Sequence, residues 1–199
     1  MWLISSVPKA GSHAAAAFFD RVGSRRQPGT VLGTTPAQSV HVSGANGVTL
    51  DALRMVPDNV YMIAHVCAAH AGVLTGFQII SVVRDPRDCL TSYCRHRRRV
   101  DGLDLTIADA LEDYWGGGEF VPLYRGFLGW RDEEAMILRY ENMHPAVVGN
   151  GSGIYCVHDA EHHTRTGSPS NWVDDWSAAD HRAFRAAGGR ALLEEAGYR

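Results

Sequence analysis

The chain has 199 residues, 45% of them apolar and 21% charged, with a formal net charge of -3. That length and usage fit a single domain over residues 1–199 with one sizeable core, and the slight negative charge gives no basic field of the kind nucleic acid selects. Basic residues are nonetheless uneven: Arg95, Arg97, Arg98 and Arg99 sit with His96 shortly after Arg84 and Arg87, a local patch suited to a small anion. Cys67, Cys89, Cys94 and Cys156 form no CxxC pair and read as reduced thiols. The opening run through Ser6 is too short for a signal peptide and has no basic residue before it. No apolar run approaches bilayer length, so a cytoplasmic protein without a membrane partner is the expectation.

Trp2 to Val7 is an apolar run ended by Pro8 and reads as a buried first strand. The Lys9-Ala10-Gly11-Ser12 turn leads to a helix over 14–22, which carries Phe18, Phe19 and Val22. Strand, glycine-containing turn and helix together open an α/β unit. Residues 24–50, rich in Gly, Ser, Thr and Pro, read mostly as loop. Strands follow at 59–66 and 77–83, the second dense in β-branched residues and expected at the centre of the sheet. Pro86 fits the first turn of a helix running through Arg99. Residues 106–129 carry Ile107, Ala110, Leu111, Tyr114 and Trp115 at roughly helical spacing, broken by Gly116-Gly117-Gly118. A fourth strand is expected over 135–140, a flexible Gly-, Ser- and His-rich segment over 149–171, and a last helix over 178–196 opened by Ser177 and capped by Gly197. This alternation implies a three-layer α/β/α fold on a mostly parallel sheet, with ligands at the carboxyl ends of the strands.

Two segments place chemistry at those ends. Lys9, Gly11, Ser12 and His13 lie where the first strand gives way to a helix, and main-chain N–H groups beside a lysine make an anion site. The Walker A loop puts its lysine after the second glycine, whereas Lys9 precedes Gly11. The plainer reading is an ordinary strand–helix turn with a surface lysine. Arg84 ends the third strand and Ser92 lies two turns into the next helix; an arginine held there presents a fixed fork of donors to a phosphate. Here the plainer reading pairs Arg84 with Asp85 or Asp88. His162-His163, with His158 and Glu161 nearby, suit a polar loop better than a metal site. Arg95 to Arg99 suit a solvated helix face or, more weakly, an attractor for an anionic donor or acidic acceptor.

In series the segments become specific. Val7-Pro8-Lys9-Ala10-Gly11-Ser12 resembles the 5'-phosphosulfate loop of the sulfotransferase family, usually Tyr-Pro-Lys-Ser-Gly-Thr-Thr-Trp. Val83-Arg84-Asp85-Pro86-Arg87-Asp88 with Ser92-Tyr93 resembles its 3'-phosphate motif, in which Arg and Ser also stand eight positions apart. Leu138-Arg139-Tyr140-Glu141-Asn142-Met143 is similar to its Arg-Tyr-Glu-Asp-Leu segment, and Arg165-Thr166-Gly167 with Asn171-Trp172 to its C-terminal Arg-Lys-Gly segment. Ala196-Gly197-Tyr198 is similar to the Leu-Gly-Tyr ending of bacterial members.

The resemblance implies a P-loop-like sulfotransferase fold. It implies transfer of a sulfonate from 3'-phosphoadenosine 5'-phosphosulfate (PAPS) to a hydroxyl or amine of a small-molecule or glycan acceptor, with no metal. Lys9 would bind the 5'-phosphate and the bridging oxygen, countering charge on the leaving group. Ala10, Gly11, Ser12 and His13 would line the 5' side, Arg84, Ser92, Arg165, Thr166 and Gly167 would hold the 3'-phosphate, and Tyr140 would lie against the nucleotide. The family's base is a histidine at a strand end; His65 stands in that place, with His70 in reserve.

The departures are local. Ala14 stands where the family often has a tryptophan on adenine, leaving that ring to another aromatic such as Trp172. Ile63 replaces a lysine usual two positions before the base. As a donor to the sulfonate, His13 would give the loop a pH-dependent element. The stretch from Tyr140 to Arg165 is short for the family, and its dimerisation motif is not recognisable in Val173 to Phe184, so no oligomeric state follows. Two other readings fit the residues: a catalytically inactive nucleotide-binding protein of the same fold and, less well for want of a Gly-Lys-Ser/Thr, a small-molecule or nucleotide kinase.

Overall fold

The computed structural model describes residues 1–45, 47–143 and 172–199. Six strands, β1 (Trp2–Ser6), β2 (Arg25–Gly33), β3 (His41–Ser43), β4 (Val60–Val66), β5 (Gln78–Val83) and β6 (Met136–Arg139), form one sheet in the order β3-β2-β4-β1-β5-β6. Every neighbouring pair is parallel except β2 and β3. The helices that flank it are α1 (Ser12–Arg21), α2 (Leu50–Arg54), α3 (Pro86–Asp101), α4 (Ile107–Glu112), α5 (Phe120–Leu128), α6 (Trp172–Asp175), α7 (Ala178–Ala186) and α8 (Gly189–Ala196).

The two middle strands are buried on both faces. Leu3, Met62 and Ala64 join an apolar cluster with Leu53 and Trp130, while Ile4, Tyr61 and Ile63 join another with Ala15, Ala16 and Phe19. Alternate side chains of one strand thus serve two cores, which is why unbroken apolar runs are strands here. β5, expected at the centre, lies one place out, between β1 and β6. A third cluster packs Tyr93, Tyr114, Phe120, Tyr124, Phe184 and Leu192, joining α3, α5 and the last two helices beneath the site.

Two expectations need correction. Residues 24–50 are loop over only about half their length, and the other half holds β2, β3 and the start of α2. Pro28 and Gly29 fall at the register shift between Arg26 and Thr30, where an irregularity absorbs the residue that cannot donate to the ladder. That interruption hides the strand. The helix expected over 178–196 is two helices, because Gly188 adopts φ +86 and turns the chain. Its ends are as expected: Ser177 and Asp180 form a reciprocal capping box, and Gly197 closes α8 at φ +77.

The segment 149–171, with Cys156, His158, Glu161, His162 and His163, lies outside the described residues, as do Arg165, Thr166 and Gly167. Cys67, Cys89 and Cys94 are free thiols. Among the described residues no helix is long and apolar enough to cross a membrane.

Candidate active site

Strand order lines up four side chains along one edge of the sheet. His65 is on the last turnings of β4, Lys9 follows β1, Arg84 follows β5 and Tyr140 follows β6, on four adjacent parallel strands. Parallel neighbours gather their outgoing loops at one edge, where open α/β sheets bind ligands.

The loop after β1 is tight. The Ala10 N–H donates to the Val7 carbonyl at 3.0 Å, and Lys9 adopts φ +70, a left-handed conformation that non-glycine residues seldom hold. Its carbonyl accepts a hydrogen bond from Arg84 Nη1 at 3.2 Å, fastening the lysine's main chain to the neighbouring motif. Gly11, at φ +111, is the N-cap of α1 and brings no side-chain acceptor to its first-turn amides, the groups a helix start offers to an anion. A Cβ on Gly11 would collide with Tyr140 Cδ2, so the loop is glycine because the tyrosine ring rests on its main chain.

Arg84 is 4% exposed, and its guanidinium lies 4.2 Å from the centroid of the Tyr140 ring. Its Nε stands 3.8 Å from Asp88 Oδ2, an ion pair too long for a hydrogen bond, and has no hydrogen-bond partner among the described residues. Asp85, the other carboxylate considered for Arg84, instead caps α3 and binds Arg87 through Nε and Nη2. Ser92 is half-buried on α3.

His65 Nδ1 donates to the Ser6 carbonyl at 2.8 Å. With the proton on Nδ1, Nε2 is the ring's acceptor. Burial pulls the His65 pKa below its ordinary value; the Ser6 hydrogen bond opposes that shift, and the positive charge of Lys9 adds to it. The ring is therefore neutral at pH 7. His70 is tied elsewhere, with Nε2 donating to the Thr35 carbonyl beyond β2 at 2.9 Å.

Several supports escaped the sequence reading. The Tyr114 hydroxyl donates to the Pro8 carbonyl at 2.7 Å, and the Tyr124 hydroxyl donates to the Arg84 carbonyl, so two tyrosines of the helical layer pin the loops that follow β1 and β5. Burial pushes both phenols well above their ordinary pKa, which keeps them neutral donors. In the sequence Tyr114 belongs to an apolar pattern at roughly helical spacing, which signals core alone. Tyr114→Phe leaves the Pro8 carbonyl without this donor and is expected to cost about 1–3 kcal/mol of stability. Urea denaturation measures it, as a lower midpoint at unchanged slope; an unchanged midpoint would remove Tyr114 from the loop's support.

Trp172, the alternative aromatic for adenine, has the Arg87 guanidinium 3.9 Å over its ring and Trp176 edge-on at 5.9 Å. The arginine run on α3 behaves as a solvated face: Arg95 pairs with Asp175 at 2.6 Å, Arg97 with Asp101 at 2.7 Å, and Arg98 with Asp104. Among the described residues no group of three His, Cys, Asp or Glu side chains could hold a metal ion. A cleft lined by Leu111, Glu112, Glu119, Val121 and Ala187 contains none of the candidate site residues.

Comparison with known proteins gives two matches of different kinds. The sequence profile of the family described as "Sulfotransferase domain" matches residues 2–155. Among solved structures, the chain is similar to the crystal structure of mouse sulfotransferase SULT7A1 complexed with PAP, with a TM-score of 0.62 at 16% identity, over 98% of this chain and 82% of that one. At that identity the likeness is one of fold. No curated protein sequence matches the chain.

Proposed function

The chain belongs to the sulfotransferase family, and from that premise we propose that it moves a sulfonate from PAPS to a hydroxyl or amine by in-line displacement, with His65 as the base. The observation that carries this reading is the Nδ1–H···O=C bond from His65 to Ser6 at 2.8 Å. It presents an unprotonated Nε2 on the strand next to the Lys9 loop. The donor supplies the sulfonate and the bridging oxygen that departs with the nucleotide. His65 Nε2 takes the proton of the attacking group, and the Ser6 carbonyl holds the ring and favours the imidazolium that forms. Lys9, close enough to depress the histidine's pKa, opposes the charge growing on the departing oxygen.

The 3' half of the site fits a phosphate for a separate reason. A buried donor without an acceptor costs about 1–3 kcal/mol, and Arg84 Nε is such a donor among the described residues. A phosphate oxygen relieves that cost. Ser92 completes this side on α3, and Arg165, Thr166 and Gly167 are assigned to the same clamp from the family motif. Tyr140 serves the nucleotide by bracing Gly11 and Arg84.

The spent donor, 3'-phosphoadenosine 5'-phosphate (PAP), tests the assignment by calorimetry. Micromolar binding is expected, lost in Arg84→Ala; tighter binding of ATP than of PAP would favour a kinase and sink the proposal. Gly11→Ala forces a methyl group onto the Tyr140 ring at φ +111. A left-handed non-glycine residue costs about 1–2 kcal/mol before any collision, so PAP affinity is expected to fall by about tenfold or more. Unchanged affinity would mean that the loop does not touch the ligand.

A further inference from the structure

We propose that the Tyr198 hydroxyl, acting through Glu141, is a positioning group for the 3'-phosphate half of the donor site; this rests on the donor assignment above. Tyr198 donates to Glu141 Oε2 at 2.8 Å, and Glu141 Oε1 accepts the Asp85 N–H at 3.1 Å. The residues so joined each bear on Arg84. Asp85 follows it in the chain, and Tyr140, which precedes Glu141, sets its ring 4.2 Å from the guanidinium. One carboxylate therefore fixes the main chain after β5 against the main chain after β6, the two sides between which Arg84 is held.

Tyr198 is itself held in place. The Arg139 guanidinium lies 5.0 Å over its ring and donates to the Ala196 carbonyl at 3.1 Å, to which Arg131 also donates at 3.0 Å. Gly197 adopts φ +77, and a Cβ there would displace the tip of the Arg139 side chain at Nη2. A second tie runs beside the first: Arg87, gripped by Asp85, donates to the Arg199 carbonyl at 2.8 Å. The residues after α8 thus fasten the Arg84–Asp88 motif at Asp85 and again at Arg87. Burial and the neighbouring Glu141 carboxylate raise the Tyr198 pKa well above its ordinary value, so the phenol remains a donor throughout any practical assay range.

Tyr198→Phe keeps the ring and its stacking and deletes the donor alone; Glu141→Gln keeps the shape and removes the charge. Calorimetry with PAP and with adenosine 5'-monophosphate, which lacks the 3'-phosphate, separates positioning from general stability. Loss of a hydrogen bond to a charged group predicts about a tenfold loss of PAP affinity in Tyr198→Phe, with adenosine 5'-monophosphate affinity nearly unchanged and the same pattern in Glu141→Gln. A PAP to adenosine 5'-monophosphate affinity ratio equal to wild type in both variants overturns the inference, including the case in which both affinities fall together. Wild-type protein that binds PAP no tighter than adenosine 5'-monophosphate overturns the donor assignment instead.

Discussion

His65→Ala is expected to lower kcat by about 10²–10⁴-fold, the usual worth of a positioned general base, while PAP affinity stays nearly unchanged. The residue sits on β4, two strands from Arg84 across β1, so its loss removes proton transfer and leaves the nucleotide clamp intact. The pH dependence carries the same signature. Because the folded pKa lies below 6.5, His65 is neutral above that pH, and kcat/KM falls only as pH drops below it. Stability has the same sign: the unfolded histidine takes up its proton near pH 6.5 and the folded one only at lower pH, so the fold weakens as pH falls through that window and recovers above it. Full turnover in His65→Ala, or an acid limb centred above pH 6.5, would move the base to another residue, His70 being next.

Lys9→Ala is expected to cost about 10²–10³-fold in kcat, comparable to deleting a donor that stabilises developing negative charge, and to weaken PAP binding as well. A second effect distinguishes it from a simple binding defect. The Lys9 charge lowers the His65 pKa, so its removal moves the acid limb of kcat/KM toward higher pH. Lys9→Ala with normal kcat and an unmoved limb would return the loop to an ordinary strand–helix turn.

The sequence is most legible where one residue type has one physical use. Pro86 at the start of α3, Asp85 as its cap and Gly197 as the end of α8 leave little choice of conformation, and β1, β4 and β5 announce themselves as apolar runs because both their faces are buried. β2 does not, since Pro28 and Gly29 interrupt its pairing and its exposed positions imitate a loop. Of the site, the residues in the turns that follow strands can be read from the chain, namely Lys9, Arg84 and Tyr140, together with His65 near the end of its own strand. Their spatial order cannot, because it depends on β6 lying beside β5 and β4 beside β1. The supporting hydroxyls are hidden for a different reason. Tyr114, Tyr124 and Tyr198 bury most of an apolar ring, and nothing in their spacing shows that each oxygen ends on a loop carbonyl or a carboxylate. The same ambiguity covers Trp172, offered as an adenine partner, whose ring is covered by Arg87.

Ala14, where the family often has an adenine-stacking tryptophan, makes turnover rather than binding the decisive observation. The most direct measurement supplies PAPS to the wild-type protein with a panel of phenols, alcohols and amines, and follows sulfonated product by mass spectrometry. Product from the wild type, greatly reduced in His65→Ala, is the expected result. Tight PAP binding with no sulfonate transferred to any acceptor would contradict it, and would make the protein a nucleotide binder on a sulfotransferase fold.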